Sequence, residues 1–242
     1  MMGILNPQER AFLTSVVRVS YANPFLAERI DYERETLGAE FDESHADWNL
    51  LGDDPETHQI NTAKIAQRAY PIIAEFQAQL KKGAAATGQE IKLYEDTVLF
   101  LLFYNYAQKF KESIIDPKRG RIYDYFEEFY DYWSFFFNFP GYNLPQKEEA
   151  AHIFACSFQV RRAFYYIFRA IIGRSSVAAN LRAMVWTSIF THDMRRSRDT
   201  LYQSMNEITT LVVGATGTGK ELVARAVGLS QYVPFDVKQK QF

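Results

Sequence analysis

The stretch Ile208-Thr209-Thr210-Leu211-Val212-Val213-Gly214-Ala215-Thr216-Gly217-Thr218-Gly219-Lys220-Glu221-Leu222-Val223-Ala224-Arg225-Ala226-Val227 changes its pattern twice. Its first six residues are β-branched or apolar, the composition of a buried parallel strand. Residues 221–228 read as an amphipathic helix, with Leu222, Val223, Ala226 and Val227 on the inner face. Between the two, Gly214 to Lys220 has the Gly-x4-Gly-Lys spacing of a phosphate loop. The stretch therefore predicts strand, loop and helix in succession, with an anion held where loop meets helix.

Each residue type in the loop has a physical reason. Glycines at 214, 217 and 219 allow torsions closed to other residues and keep side chains away from an approaching phosphate. The amides of Ala215, Thr216, Gly217, Thr218 and Gly219 are expected to point inward, reinforced by the positive end of the following helix. Lys220 supplies a mobile cation for β and γ phosphates. The next residue is Glu221, where most phosphate loops carry a hydroxyl that ligates magnesium, so that role is not assigned to it. The loop residues Gly214, Ala215, Thr216, Gly217, Thr218, Gly219, Lys220 and Glu221 are the candidate nucleotide-binding set.

Upstream, residues 1 to about 184 read as helices joined by short loops. Asn6-Pro7-Gln8-Glu9 is a helix start, with Asn as cap, Pro at the first helical position and Glu at the third. Asn23-Pro24 repeats the device. Residues 38–52 turn acidic and irregular, and their spacing does not fit a calcium loop. Asp54-Pro55-Glu56 restarts a helical pattern, in which Pro71 predicts a kink or break near Tyr70. Gly83 to Gly88 is a small-residue connector ahead of a helix that fades near Pro117. A further helix is predicted from Arg121 to Asn138 and another from Gln146 to Ile172, after which Ser175 or Ser176 caps the next. No repeat of fixed period appears, which argues against a solenoid.

Composition narrows the class. Hydrophobic residues make up 48% and charged residues 23%, with net charge −2, the balance of a globular chain and not of a basic nucleic-acid module. Aromatic residues reach 16%, and most lie between 94 and 168. A helical core packed with rings explains them; an aromatic ligand pocket in a sensor domain is the sharper alternative. The single cysteine, Cys156, excludes a disulfide framework and suits a reducing cytoplasm. No signal peptide or membrane span is predicted. His45, His58, His152 and His192 lack zinc spacing, and Cys156 has no evident histidine partner in the sequence, so nucleophilic catalysis is unsupported and no catalytic residue is assigned. Arg161, Arg162 and Arg169 suit the wet face of a helix, or the reading of an acidic ligand.

Gly217 to Ala226, Gly-Thr-Gly-Lys-Glu-Leu-Val-Ala-Arg-Ala, closely resembles the Walker A region of sigma-54-dependent transcriptional activators, a family of AAA+ ATPases. Ser230-Gln231-Tyr232-Val233-Pro234-Phe235 resembles the run leading into that family's second strand, without its arginine. Ile189 to Arg196 is similar to the family's entry segment, which makes Ile189 and Phe190 candidate adenine contacts, with simple packing as the alternative. The resemblance covers about 55 residues at the C-terminal end. Joined to the helical pattern read upstream, it gives a mainly α chain: an all-helical domain at 1–184, where the family places a regulatory module, then at 185–242 the first strand, P-loop and helix of an α/β AAA+ domain. It further implies ATP and Mg as cofactors, sigma-54 RNA polymerase as partner, a homo-oligomeric ring, DNA contact through a C-terminal region, and a role in transcription regulation. A family member would continue past Phe242 with its Walker B strand, sigma-contacting loop and arginine fingers, so the chain alone is expected to be a poor or inactive ATPase. The rival reading is a helical ligand-sensing or interaction module attached to a different P-loop ATPase.

Overall fold

A computed structural model describes residues 3–47, 50, 60–116, 123–142, 146–190, 194–204, 207 and 209–242. Among these residues the protein is mainly helical and contains no strand. The helices are α1 (Pro7–Tyr21), α2 (Ala27–Leu37), α3 (Ile60–Lys81), α4 (Gly88–Ile115), α5 (Phe126–Phe137), α6 (Lys147–Ala170), α7 (Ser176–Phe190), α8 (Met194–Asp199) and α9 (Lys220–Gly228).

Side-chain caps set the starts of α1, α4 and α7. Asn6 accepts from the Glu9 amide at 2.9 Å while Glu9 reaches back to the Asn6 amide at 3.0 Å, closing a capping box with Pro7 at the first position. Thr87 and Glu90 build the same box at the start of α4. Such caps stabilise a helix by about 1 kcal/mol each. Ser175 caps α7, its Oγ accepting from the Ala178 amide at 3.2 Å. Asn23 departs from its expected role, since α2 begins four residues later, after Leu26. Its side chain instead accepts from the Phe25 amide and donates to the Ala183 carbonyl at 3.0 Å, tying the α1–α2 turn to α7.

Pro71 does not break α3, which runs through it from Ile60 to Lys81. Pro71 and Gln67 both lie on the exposed face, so water can satisfy the Gln67 carbonyl that loses its helical partner. The acidic stretch after α2 forms two short 3-10 turns, at Gly38–Glu40 and Glu43–His45, the second capped by Asp42. No metal-binding cluster of acidic, histidine or cysteine side chains occurs among the described residues. The helix start expected at Asp54 lies outside the described residues.

α4 is the central helix, packed against α1, α3, α5 and α6, and α6 in turn holds α5, α7 and α9. Rings fill the interior between them. Phe154 on α6 is fully buried, with Phe110, Tyr125, Phe126 and Phe129 around it at centroid distances of 5.1 to 5.6 Å. Burial of such rings supplies the bulk of the folding free energy. The aromatic concentration thus reads first as core. Arg182, only 2% exposed, donates to the carbonyls of Ile171 and Gly173 just past the end of α6 and lies 4.5 Å from the Phe168 ring centroid. Residue 184, the expected edge of the regulatory region, falls within α7. No helix among the described residues is long and apolar enough to cross a membrane.

Candidate functional site

The segment leading into the glycine loop is not a strand. Residues 209–213 are irregular, and Leu211 and Val213 are 83% and 79% exposed. The physical reason is that a strand exists only by pairing, and no neighbouring strand is present among the described residues to hydrogen-bond with it. The β-branched composition read from the sequence records a propensity that here has no ladder to join. Ile208 lies outside the described residues.

The loop itself takes the shape its glycines permit. Gly217 and Gly219 have φ of 81° and 79°, in the left-handed region, and Gly219 is the N-cap of α9. A Cβ added to Gly214 would sit 3.1 Å from Thr218 Oγ1, so the turn closes tightly there. Thr218 Oγ1 donates to the Ala215 carbonyl at 2.8 Å. Lys220 folds back over the loop, its Nζ donating to the carbonyls of Gly214 at 3.0 Å and Ala215 at 2.6 Å. The helix following the loop starts at Lys220, one residue before its expected start.

Among the described residues, the amides of Gly217, Gly219, Lys220 and Glu221 donate to no protein acceptor, whereas Leu222 and Val223 both donate to the Gly219 carbonyl. The amides of Lys220 and Glu221 are the first-turn donors that every α-helix leaves unpaired. Gly214 through Thr218 are exposed, and Lys220 is half-buried. The candidate residues therefore come together as one surface loop: a tight turn, a lysine spanning it, and unspent N–H groups at a helix start. Glu221 also lies at that start and is exposed, where its carboxylate favours the helix dipole.

α9 is docked, not free. Ala226 and Val227 are buried against α6 and α7. Arg162 on α6 donates through Nε (3.1 Å) and Nη2 (2.5 Å) to the Leu229 carbonyl, satisfying the C-terminal end of α9. Gln159 donates to the Ser230 carbonyl at 3.1 Å. The run from Ser230 to Phe235 continues along α6: the Phe235 ring lies 4.8 Å from Phe154, and Phe242 stacks on Phe158 at 4.2 Å. Of the arginines expected on a wet face, only Arg169 is exposed. Arg161 is buried and Arg162 is the clamp on α9.

Ile189 and Phe190 are 5% and 3% exposed, and Phe190 packs on Trp186 at 4.5 Å within the helical interior. Cys156 does have a histidine neighbour, one turn earlier on α6, with its sulfur 3.6 Å from His152 Nε2. The four-residue spacing was the signal in the sequence that could have revealed it. The pair is not an activated nucleophile. His152 Nε2 lies 2.8 Å from the Arg198 carbonyl, which can only accept, so Nε2 carries the proton. Nδ1 then accepts from the Tyr232 hydroxyl at 2.9 Å. Burial lowers the pKa of His152 and pushes the Cys156 thiol up to about 12, leaving a neutral ring beside a protonated sulfur. The contact joins α6, α8 and the segment after α9 instead.

No family model, curated protein or solved structure matches the chain.

Proposed function

We propose that the loop Gly214–Glu221 binds the phosphates of ATP, and that the chain belongs to a transcription regulator of the sigma-54-activator type, in which the helical bundle is the regulatory part. The observation that carries the reading is a turn at a helix start whose two left-handed positions are both glycine, spanned by Lys220, with the amides of Gly217, Gly219, Lys220 and Glu221 donating to no protein acceptor among the described residues. Successive N–H groups aimed at one place, a helix dipole and a mobile ammonium are what a polyphosphate needs. Lys220 would leave the carbonyls of Gly214 and Ala215 to meet the phosphates, while the amides of Gly217, Gly219 and Lys220 would hold them. Magnesium, where present, would neutralise phosphate charge; no hydroxyl follows the lysine, so its protein ligands are not assigned. The sequence of residues 217–226 supports the family part of the reading, with sigma-54 RNA polymerase and a ring of identical subunits as the partners it implies. The docking of α9 on α6 gives the bundle a physical hold on the loop.

Calorimetric titration of the chain with ATP, ADP and AMP tests the binding. Affinity should rise with phosphate number, and Lys220→Ala should weaken ATP binding about tenfold or more while leaving AMP unchanged, because a charge-assisted contact to phosphate is lost. Equal ATP affinity in the variant, with helix content intact, would remove the reading.

A further inference from the structure

A cavity of about 250 Å³ opens between α4, α6, α7 and α8, beside the α1–α2 turn. Its broad wall is apolar, formed by Leu99, Phe103, Val160, Phe164, Trp186 and Phe190. Packing behind the wall fixes its rings: Phe25 stacks on Phe164 at 5.3 Å and meets Trp186 edge-on at 5.8 Å. Asn23, two residues before Phe25, ties the α1–α2 turn to the Ala183 carbonyl of α7, so the two sides of the wall are joined.

Arg29, Asp96, Arg161 and Arg198 also line the cavity, and each is engaged within the protein. Arg29 pairs with Glu33 at 2.8 Å and donates to the Val19 carbonyl at 2.6 Å. Arg198 pairs with Asp199 at 2.6 Å and donates to the Tyr21 hydroxyl at 3.2 Å. Both oxygens of Asp96 are taken, Oδ1 by the Tyr21 hydroxyl at 2.7 Å and Oδ2 by Arg195. Arg161 lies 5.4 Å from the Phe164 ring centroid and has a further partner. A charged guest of either sign would leave its hydration shell and gain a counter-charge only by breaking one of these arrangements, which disfavours it. An uncharged guest breaks none of them and buries its apolar surface against the rings.

From this arrangement we infer that the cavity is a binding site for a compact, uncharged, mainly apolar molecule, and that it rejects the same skeleton carrying a charge of either sign. The volume lies just below the roughly 300–1,000 Å³ usual for ligand sites, which restricts the guest to one or two rings. The site is distinct from the glycine loop, and the inference stands independently of nucleotide binding.

The test uses the full chain and three probes of one skeleton: 2-naphthylmethanol, 2-naphthoate and 2-(aminomethyl)naphthalene, titrated by calorimetry at neutral pH. The alcohol should bind about tenfold or more tighter than either ion. Ala107→Phe, which adds a ring at a lining position of α4, should abolish binding of the alcohol, and Val160→Phe on α6 serves as the second filling variant if the first does not fold. Met184, 69% exposed on α7, does not line the cavity, so Met184→Gln should leave the alcohol bound as in the parent. The inference is overturned if no probe binds, if the acid or the amine binds as tightly as the alcohol, if a folded filling variant binds the alcohol as the parent does, or if Met184→Gln removes the binding.

Discussion

Glu90 shows how much one side chain can hold. It is fully buried, yet its carboxylate closes the capping box of α4, accepts from the Leu5 amide at 3.1 Å and pairs with Arg10 at 2.8 Å. Gly3 passes so close that a Cβ there would lie 2.2 Å from Oε1. Burial alone would raise the pKa, but the amides of Thr87 and Leu5, the Thr87 hydroxyl and Arg10 outweigh it and hold the acid below its usual range. A depressed folded-state pKa means that the unfolded chain binds the proton more readily. The stabilisation is therefore present above the unfolded carboxylate value and is lost as pH falls through the folded one. Glu90→Gln should cost about 2–3 kcal/mol at pH 7, since a charge-assisted network loses its charge and one oxygen acceptor. Urea unfolding at pH 7 and again in acid checks this: the deficit of the variant should shrink in acid, and an equal deficit at both would refute the charge argument. The local half of this site was legible, because Thr87-x-x-Glu90 is a helix-start pattern. Its contacts to Leu5 and Arg10, on a segment more than seventy residues away, are set by packing that no local pattern encodes.

At the scale of elements, the sequence and the structure agree where caps and helical period decide. The helix expected over 146–172 runs from Lys147 to Ala170, and the one starting at Asn6-Pro7 carries its capping box as read. They part where an element depends on neighbours. Thr209 to Val213 has strand composition, but pairing is a property of a sheet and not of one segment. The arginines of α6 show the same limit, since helical spacing gives no reason to expect that Arg162 meets the last carbonyls of α9. That clamp makes a checkable claim. Two donors converge on the Leu229 carbonyl from a guanidinium whose pKa burial lowers, so the bond forms in a dry environment where loss is costly. Arg162→Met keeps the aliphatic stem and removes the donors, and it should destabilise α9 by about 1–3 kcal/mol. Hydrogen exchange resolved along the chain should show faster exchange in Val223 to Gly228, with α1 unchanged. Uniform acceleration everywhere, or none, would show that the clamp does not act locally.

At the scale of the molecule, the question is whether the segment carrying the glycine loop is an appendage or part of the core. Tyr232 and Phe235 are buried, and both contact α6: Tyr232 through His152, and Phe235 through Phe154, with Phe126 on α5 at 4.7 Å. The Tyr123 amide donates to the Lys240 carbonyl at 2.8 Å, and the Phe242 ring meets Tyr123 at 4.9 Å. None of these contacts was legible, because each joins residues about eighty to one hundred and twenty positions apart in sequence. An appendage would unfold by itself, and a lesion within it would leave the bundle untouched. A shared core behaves otherwise, since a cavity opened at Phe235 also strips contacts from Phe154, which in turn supports Phe110 on α4. Phe235→Ala should therefore cost about 3–5 kcal/mol in global unfolding, the range for emptying a buried ring site. The slowest amides of α4, which exchange only when the whole molecule opens, report that cost directly. Their protection should fall by the same free energy. Were α4 to keep its protection while the residues after Gly228 lost theirs, the loop-bearing segment would be an independent unit and the bundle could influence the loop only through the linker between them.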